Sequence, residues 1–222
     1  VYGVEQLLPF VHEAMCDRLE ASTLLIAAAM TKGEISVPNA PVFAMENVLK
    51  KLQHMGHIVT QHDAVCGVTL AAASSAKPVS IKTMPYPGFS TDLQSPFMAL
   101  LAITPGQSVI HETVFESRMS HAHQLNKMGA QIMVEYDCAK ITGTSALHGA
   151  EVEAGDIRAG AALVLAGLVA KGTTKVTGIH HLLRGYYCFD KKLQQCGAKI
   201  SMHCSSMTTA YHVQSVTTEI LV

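Results

Sequence analysis

The sequence holds no tryptophan, and aromatic residues fill only 5% of its 222 positions. Its core must therefore be built from aliphatic and small side chains rather than large rings. Charge is scarce as well: Asp, Glu, Lys and Arg make up 15% of the chain, against 49% hydrophobic residues. Net charge is −1, and Lys and Arg are scattered, so the basic stripe that a nucleic-acid partner requires is missing. Long apolar runs are missing too, although mean hydropathy is +0.25. A membrane helix needs roughly 18 to 20 apolar residues, and the best candidate, Leu24 to Met30, runs straight into Thr31-Lys32-Gly33. No membrane insertion is expected.

Six cysteines (Cys16, Cys66, Cys138, Cys188, Cys196, Cys204) include no C-x-x-C pair. That spacing does not supply a zinc site, and a disulfide framework does not suit so large and apolar a chain. Reduced, partly buried thiols are expected. Among twelve histidines, His121-x-His123 and His180-His181 lack helical i, i+4 spacing and an acidic partner in register, so no metal is expected. The first residues, Val1 to Gln6, show no charged segment of a secretion signal and no initiator Met. The chain reads as cytoplasmic and as the continuation of a longer protein.

What is present is a repeat. Three times an apolar helix leads to a Gly, a short strand, and a second helix ending in Leu-x-x-apolar-Gly before another strand. Thr23 to Met30, Phe97 to Ile103 and Ala161 to Ala170 are the apolar helices; Leu52 to Gly56, Leu125 to Gly129 and Leu193 to Gly197 are the second endings. Gly33 to Gly56 and Gly106 to Gly129 both span 23 positions, and Gly172 to Gly197 spans 25. A Gly after each helix suits the left-handed position that ends helices. His57 to Thr60, Gln131 to Glu135 and Lys199 to Met202 read as the strands that follow. The second helices are amphipathic: Val48, Leu49 and Leu52 stand against Lys50, Lys51 and Gln53. The first helices are apolar nearly all round, so they must be buried on every side.

Three buried helices alternating with sheet segments imply an inside-out α/β domain, helices at the centre and sheets outside, inverting the usual order. Ala27, Ala28, Ala29, Ala166 and Gly167 would let the central helices approach closely. We divide the chain into residues 1–17, the end of a preceding strand or hinge; one domain over 18–204, with units of about 18–75, 76–150 and 151–204; and an extra tail over 205–222. Within that tail, Ala210 to Val213 and Glu219 to Val222 have strand character.

This architecture resembles the enolpyruvyl transferase family, and particular segments sharpen the likeness. Pro87-Gly88-Phe89-Ser90-Thr91-Asp92-Leu93-Gln94 looks like a Pro-x-Phe-Pro-Thr-Asp-Met-Gln segment of its members that act on UDP-N-acetylglucosamine. Glu112 to Arg118 resembles their Glu-Thr-Val-Phe-Glu-Asn-Arg, Asp156-Ile157-Arg158-Ala159 their Asp-Leu-Arg-Ala, and Arg184-Gly185-Tyr186 their Arg-Gly-Tyr. The likeness covers residues 1 to 203 and corresponds to the C-terminal half of those enzymes.

The resemblance implies transfer of the enolpyruvyl group of phosphoenolpyruvate to the sugar 3-hydroxyl of UDP-N-acetylglucosamine, in peptidoglycan synthesis, with no metal or organic cofactor. It implies that Asp92 hydrogen-bonds that hydroxyl and acts as general base; the local reading is a helix cap. Val114 reads as a strand residue, and by resemblance its backbone contacts the sugar nucleotide. Arg118, Arg158 and Arg184 read as surface ion-pair partners; by resemblance they hold phosphate and carboxylate, with Arg184 the phosphoenolpyruvate candidate. Asp156 has three open readings: helix cap, support for an arginine, or a group facing the reacting carbons. Arg18-Leu19-Glu20, resembling the family's Arg-Ile-Glu, is structural or lies at a domain cleft.

In the family, a Cys-bearing loop and a Lys-Asn pair belong to the other half, and none of the six cysteines here lies in a matching loop. The isolated chain is expected to be inactive without that N-terminal domain. Leu183 stands where the family usually has Asp, Gln124 where Glu is common and His123 where Pro is common. A diverged homologue that binds a sugar nucleotide or a protein, and half of a shikimate-type synthase, are the alternative readings.

Overall fold

A computed structural model of the chain describes residues 2–62, 67–204 and 209–215. The first unit contains α1 (Arg18–Thr31), β1 (Glu34–Val37), α2 (Glu46–His54), β2 (Ile58–His62) and β3 (Gly67–Ala71). In the second come β4 (Ile81–Lys82), α3 (Gln94–Ala102), β5 (Gln107–His111), α4 (His121–Lys127), β6 (Gln131–Glu135) and β7 (Cys138–Thr142). The third contains β8 (Glu151–Glu153), α5 (Ile157–Val169), β9 (Thr173–Thr177), α6 (Phe189–Gln195), β10 (Lys199–Cys204) and β11 (Thr209–Gln214).

Each unit builds its own sheet, in the orders β1-β3-β2, β4-β5-β7-β6 and β8-β9-β11-β10. In the two four-stranded sheets the first strand pairs parallel to the next, as β4 does with β5 and β8 with β9. All other pairings are antiparallel. Register puts apolar residues opposite one another on the inner face: Ile35 faces Leu70, Ile110 faces Ala139, and Ile200 faces Val213. A one-residue slip would turn those side chains to solvent, so burial fixes the register.

The three apolar helices sit between the sheets, as their composition requires. Every residue of α3 is buried, and so is the run Ala159 to Leu168 of α5. α1, α3 and α5 pack on one another and, with the inner sheet faces, form a single core. Each fully buried Leu or Ile in it contributes about 1.5–3 kcal/mol of transfer free energy. The second helices are amphipathic in the expected sense: α2 buries Val48, Leu49 and Leu52.

Four details differ from the sequence reading. Gly33 does not take the left-handed position after α1; Lys32 does, at φ 57°, its N–H donating to the Ala28 carbonyl. The helix therefore ends one position earlier than the Gly spacing implied. Gly167 does not face a neighbouring helix; a Cβ there would lie 2.9 Å from Val213 Cβ, so its role is to let β11 approach α5. Residues 2–16 form neither helix nor strand, and the chain becomes regular only where Asp17 caps α1. Finally, β11 falls in the segment set apart as an extra tail, yet it lies between β9 and β10. The third sheet therefore extends past 204. The strand expected over Glu219 to Val222 lies outside the described residues.

No helix is long and apolar enough to cross a membrane among the described residues. The described cysteines all carry free thiols, with Cys16 and Cys204 exposed and Cys138, Cys188 and Cys196 half-buried.

Candidate functional site

The N-terminal ends of α3, α4 and α5 lie at one pole of the helix layer, and the matched segments gather there. Thr91-Asp92-Leu93 forms a tight 3-10 turn leading into α3. Ser90 caps this turn, its hydroxyl accepting the Asp92 N–H at 3.3 Å. Pro96 then falls in the first turn of α3, where a missing N–H is tolerated. Ser90 thus does the capping that was one reading of Asp92, and the Asp92 carboxylate is free to point elsewhere.

It points to two arginines. Arg118 Nη2 donates to Asp92 Oδ1 at 2.7 Å, and Arg158 Nε lies 3.5 Å from the same oxygen. These side chains are only 33%, 20% and 15% exposed for Asp92, Arg118 and Arg158, so the pairing is far better shielded than a surface ion pair. Arg118 also donates through Nη1 to Thr91 Oγ1 at 3.0 Å and stacks over Phe115.

Asp156 is the cap of α5. Its Oδ1 accepts the N–H groups of Arg158 at 2.7 Å and Ala159 at 2.9 Å. By starting the helix there it aims the Arg158 side chain toward Asp92. Arg158 Nη1 is buried without a hydrogen-bond partner among the described residues, and the guanidinium sits over the Tyr186 ring, 5.6 Å from its centroid.

That ring explains part of the Arg-Gly-Tyr match. Gly185 packs so closely on α5 that a Cβ would meet Ile157 Cγ2 at 2.5 Å. Tyr186 is buried, its hydroxyl 2.9 Å from Thr23 Oγ1 on α1, and burial pushes its ionisation upward despite that bond. Arg184 itself ends a 3-10 turn over Leu182–Arg184 and is exposed. Its side chain joins no ion pair among the described residues. Leu183 beside it is 44% exposed.

Val114 is not a strand residue. β5 ends at His111, and the chain bends through Val114 and Phe115. The bend forms because Glu112, 2% exposed, accepts from the N–H of Val114 at 2.9 Å and of Phe115 at 3.2 Å through Oε1. Oε1 also accepts from Thr83 Oγ1 at 2.7 Å, and Oε2 from Thr91 Oγ1 at 2.8 Å. Sequence reasoning passed over Glu112. The available signal was its parity: Ser108, Ile110 and Glu112 share the inward face of the β5 segment, an unusual place for an acidic residue.

Two more buried polar groups close the cluster. His121, 1% exposed at the start of α4, has Nδ1 3.4 Å from Ser95 Oγ, while its Nε2 has no partner among the described residues. Burial holds its pKa at about 4; Asp156 and Glu112 pull it up, and Arg118 pushes it down. Gln94 takes the Ser95 hydroxyl on Oε1 at 3.2 Å, and its Nε2 has no partner among the described residues. Arg18 lies outside this cluster, over the Tyr86 ring. The described residues hold no group of three or more His, Cys, Asp or Glu suited to a metal ion.

The structure thus brings Asp92, Arg118, Asp156 and Arg158 into one network, sets Val114 at its edge through Glu112, and leaves Arg184 on the rim. One Asp92 oxygen is anchored by cations and the carboxylate is a third exposed, an arrangement able to accept a hydroxyl proton. The exposed Arg184 supplies donors for an anion, and the buried Arg158 Nη1 keeps an N–H without a partner among the described residues.

The chain is similar to known proteins over most of its length. The chain is 46% identical over 200 residues to UDP-N-acetylglucosamine 1-carboxyvinyltransferase 1 of Caldanaerobacter subterraneus subsp. tengcongensis, covering 90% of this chain and 48% of that protein. It is 48% identical over 200 residues to the protein of the same name from Staphylococcus epidermidis, covering 90% and 47%. The chain spans about half the length of the curated relatives it matches. Among solved structures, the enolpyruvyl transferase NikO from Streptomyces tendae superposes with a TM-score of 0.75 at 26% identity, over 90% of this chain and 45% of that one. An EPSP synthase from Acinetobacter baumannii shares the fold, with a TM-score of 0.68 at 18% identity over 92% and 47%. The model of the EPSP synthase (3-phosphoshikimate 1-carboxyvinyltransferase) family matches residues 1–214, and the chain belongs to that family of enolpyruvyl transferases.

Proposed function

We propose that this chain is one half of an enzyme that transfers the enolpyruvyl group of phosphoenolpyruvate to the 3-hydroxyl of UDP-N-acetylglucosamine, a step of peptidoglycan synthesis in the cytoplasm. The observation that carries the reading is Asp92, released from capping by Ser90 and held at 2.7 Å by Arg118. Its carboxylate takes the proton of the sugar hydroxyl as that oxygen adds to C2 of phosphoenolpyruvate. Arg158 and Arg184 neutralise the phosphate as it leaves, and Val114 offers its backbone to the sugar nucleotide. Asp156 acts by aiming Arg158, since its Oδ1 is committed to the α5 cap.

The alkene carbon takes a proton from a general acid on an N-terminal domain during the addition and gives one up as phosphate leaves, which re-forms the double bond. The proton held by Asp92 passes to the departing phosphate. The chain alone therefore releases no phosphate. The test is phosphate release from phosphoenolpyruvate and UDP-N-acetylglucosamine by the longest reading frame that encodes this chain, beside its Asp92→Ala variant. Release that collapses in the variant supports the reading. A folded, intact protein that releases none overturns it.

A further inference from the structure

Glu112 accepts four hydrogen bonds and donates none, and its partners lie in three separate segments. Thr83 follows β4, Thr91 precedes α3, and Val114 and Phe115 form the bend after β5. The Thr83 hydroxyl in turn accepts the Thr113 N–H at 2.9 Å, which ties the bend to β4 a second time. On the other side the network runs on: Glu112 Oε2 accepts from Thr91, Thr91 Oγ1 accepts from Arg118 Nη1, and Arg118 Nη2 donates to Asp92.

The polarity of this relay is fixed. A carboxylate in front of four donors only accepts, so the Thr91 hydrogen must point at Glu112. Its lone pairs then face Arg118, and polarisation along the chain strengthens each bond.

We propose that Glu112 is a positioning residue that sets the Val114 bend and the Arg118–Asp92 pair in one register, so that binding against Val114 is felt at Asp92. The inference rests on the sugar-nucleotide reading only for what binds at Val114; the relay itself needs no ligand. Glu112→Gln is the discriminating change because it keeps the shape and reverses the polarity. If the amide NH2 faces Thr91, the hydroxyl turns a hydrogen toward Arg118, donor against donor. If it faces the other way, it opposes Thr83 and two backbone N–H groups.

The experiment is nitrogen-15 NMR of the Arg118 guanidinium in the full chain, followed by titration with UDP-N-acetylglucosamine. Held by two acceptors, the Arg118 Nη groups rotate slowly. In Glu112→Gln that rotation is expected to speed up by about tenfold or more, the scale of one lost charge-assisted bond. Thr91→Val cuts the same link while leaving Glu112 its Thr83 and Val114 partners, and should give the same result even if the Gln variant does not fold. Thr104→Val, a buried hydroxyl bonded to Leu100 O at the far end of α3, is the control. It should lower the melting temperature and leave Arg118 unchanged. In the titration, a shift at the Val114 amide should appear together with one at the Asp92 carboxyl in the parent, and without it in Thr91→Val. Unchanged Arg118 rotation in folded Glu112→Gln or Thr91→Val overturns the proposal. No binding of the sugar nucleotide, with Arg118 released in the variants, leaves the relay standing and counts against the functional reading alone.

Discussion

The Tyr186 hydroxyl donates to Thr23 Oγ1 across 2.9 Å of buried space, joining the third unit to the first helix over 163 positions of chain. The direction follows from Thr23, whose one hydrogen is spent on the Leu19 carbonyl at 2.8 Å. This makes the two ends unequal. Tyr186→Phe removes a donor and leaves Thr23 satisfied, so it should cost about 1 kcal/mol. Thr23→Val strands a buried phenol and should cost more, about 1–3 kcal/mol. Urea unfolding of both single variants and the double variant checks this, and the double should cost less than the sum.

Acid should weaken the protein through His121. Its folded pKa of about 4 lies below the ordinary histidine value of 6.5, because burial disfavours the charged form. The unfolded chain therefore binds the proton first, and the contribution is full above pH 6.5 and is lost as pH falls toward 4. The expected loss is on the order of 3 kcal/mol. His57, also pushed down by burial, adds to the same slope. Urea midpoints measured between pH 7 and pH 4.5 should fall less steeply in His121→Gln than in the parent.

Gly167→Ala tests the contact between α5 and β11. In most helix interiors this change gains about 0.5–1 kcal/mol. Here the new methyl would lie 2.9 Å from Val213 Cβ and 3.3 Å from Thr174 Cβ, neither of them a flexible end. Overpacking should win, with a net loss of about 1–3 kcal/mol. A rise in the thermal midpoint would show that β11 is not seated on the helix.

Asp156 can be divided into its two duties by paired substitutions. Asp156→Asn keeps an oxygen for the Arg158 and Ala159 N–H groups and should leave stability within a few tenths of a kcal/mol. Asp156→Ala loses the cap and should cost about 1 kcal/mol. If the Asn variant matches the Ala variant in thermal melts, the carboxylate charge matters to folding and the cap account fails.

The three-unit plan was legible because it is written in local signals: helix-long apolar runs, and glycines at the left-handed ends of the second helices. Lys32 shows the limit of such signals, since the residue before the expected Gly took the strained position. β11 was visible as a strand-like stretch, but its place between β9 and β10 depends on pairing with distant residues, which spacing does not record. The site divides the same way. Asp156 behaves as the local cap that its position suggested. Asp92 does not, because its partner Arg118 lies 26 positions on. Glu112 went unseen since its four donors come from three segments that only tertiary folding gathers.

In all three sheets the strand made last is an inner one: β3 lies between β1 and β2, β7 between β5 and β6, and β11 between β9 and β10. During vectorial synthesis, each unit therefore waits for its final strand before its sheet can close. A ribosome that has released β10 but not β11 holds two strand edges with nothing between them. Such a nascent chain has two finished units and a third whose apolar helix is still uncovered, the species that a chaperone would bind.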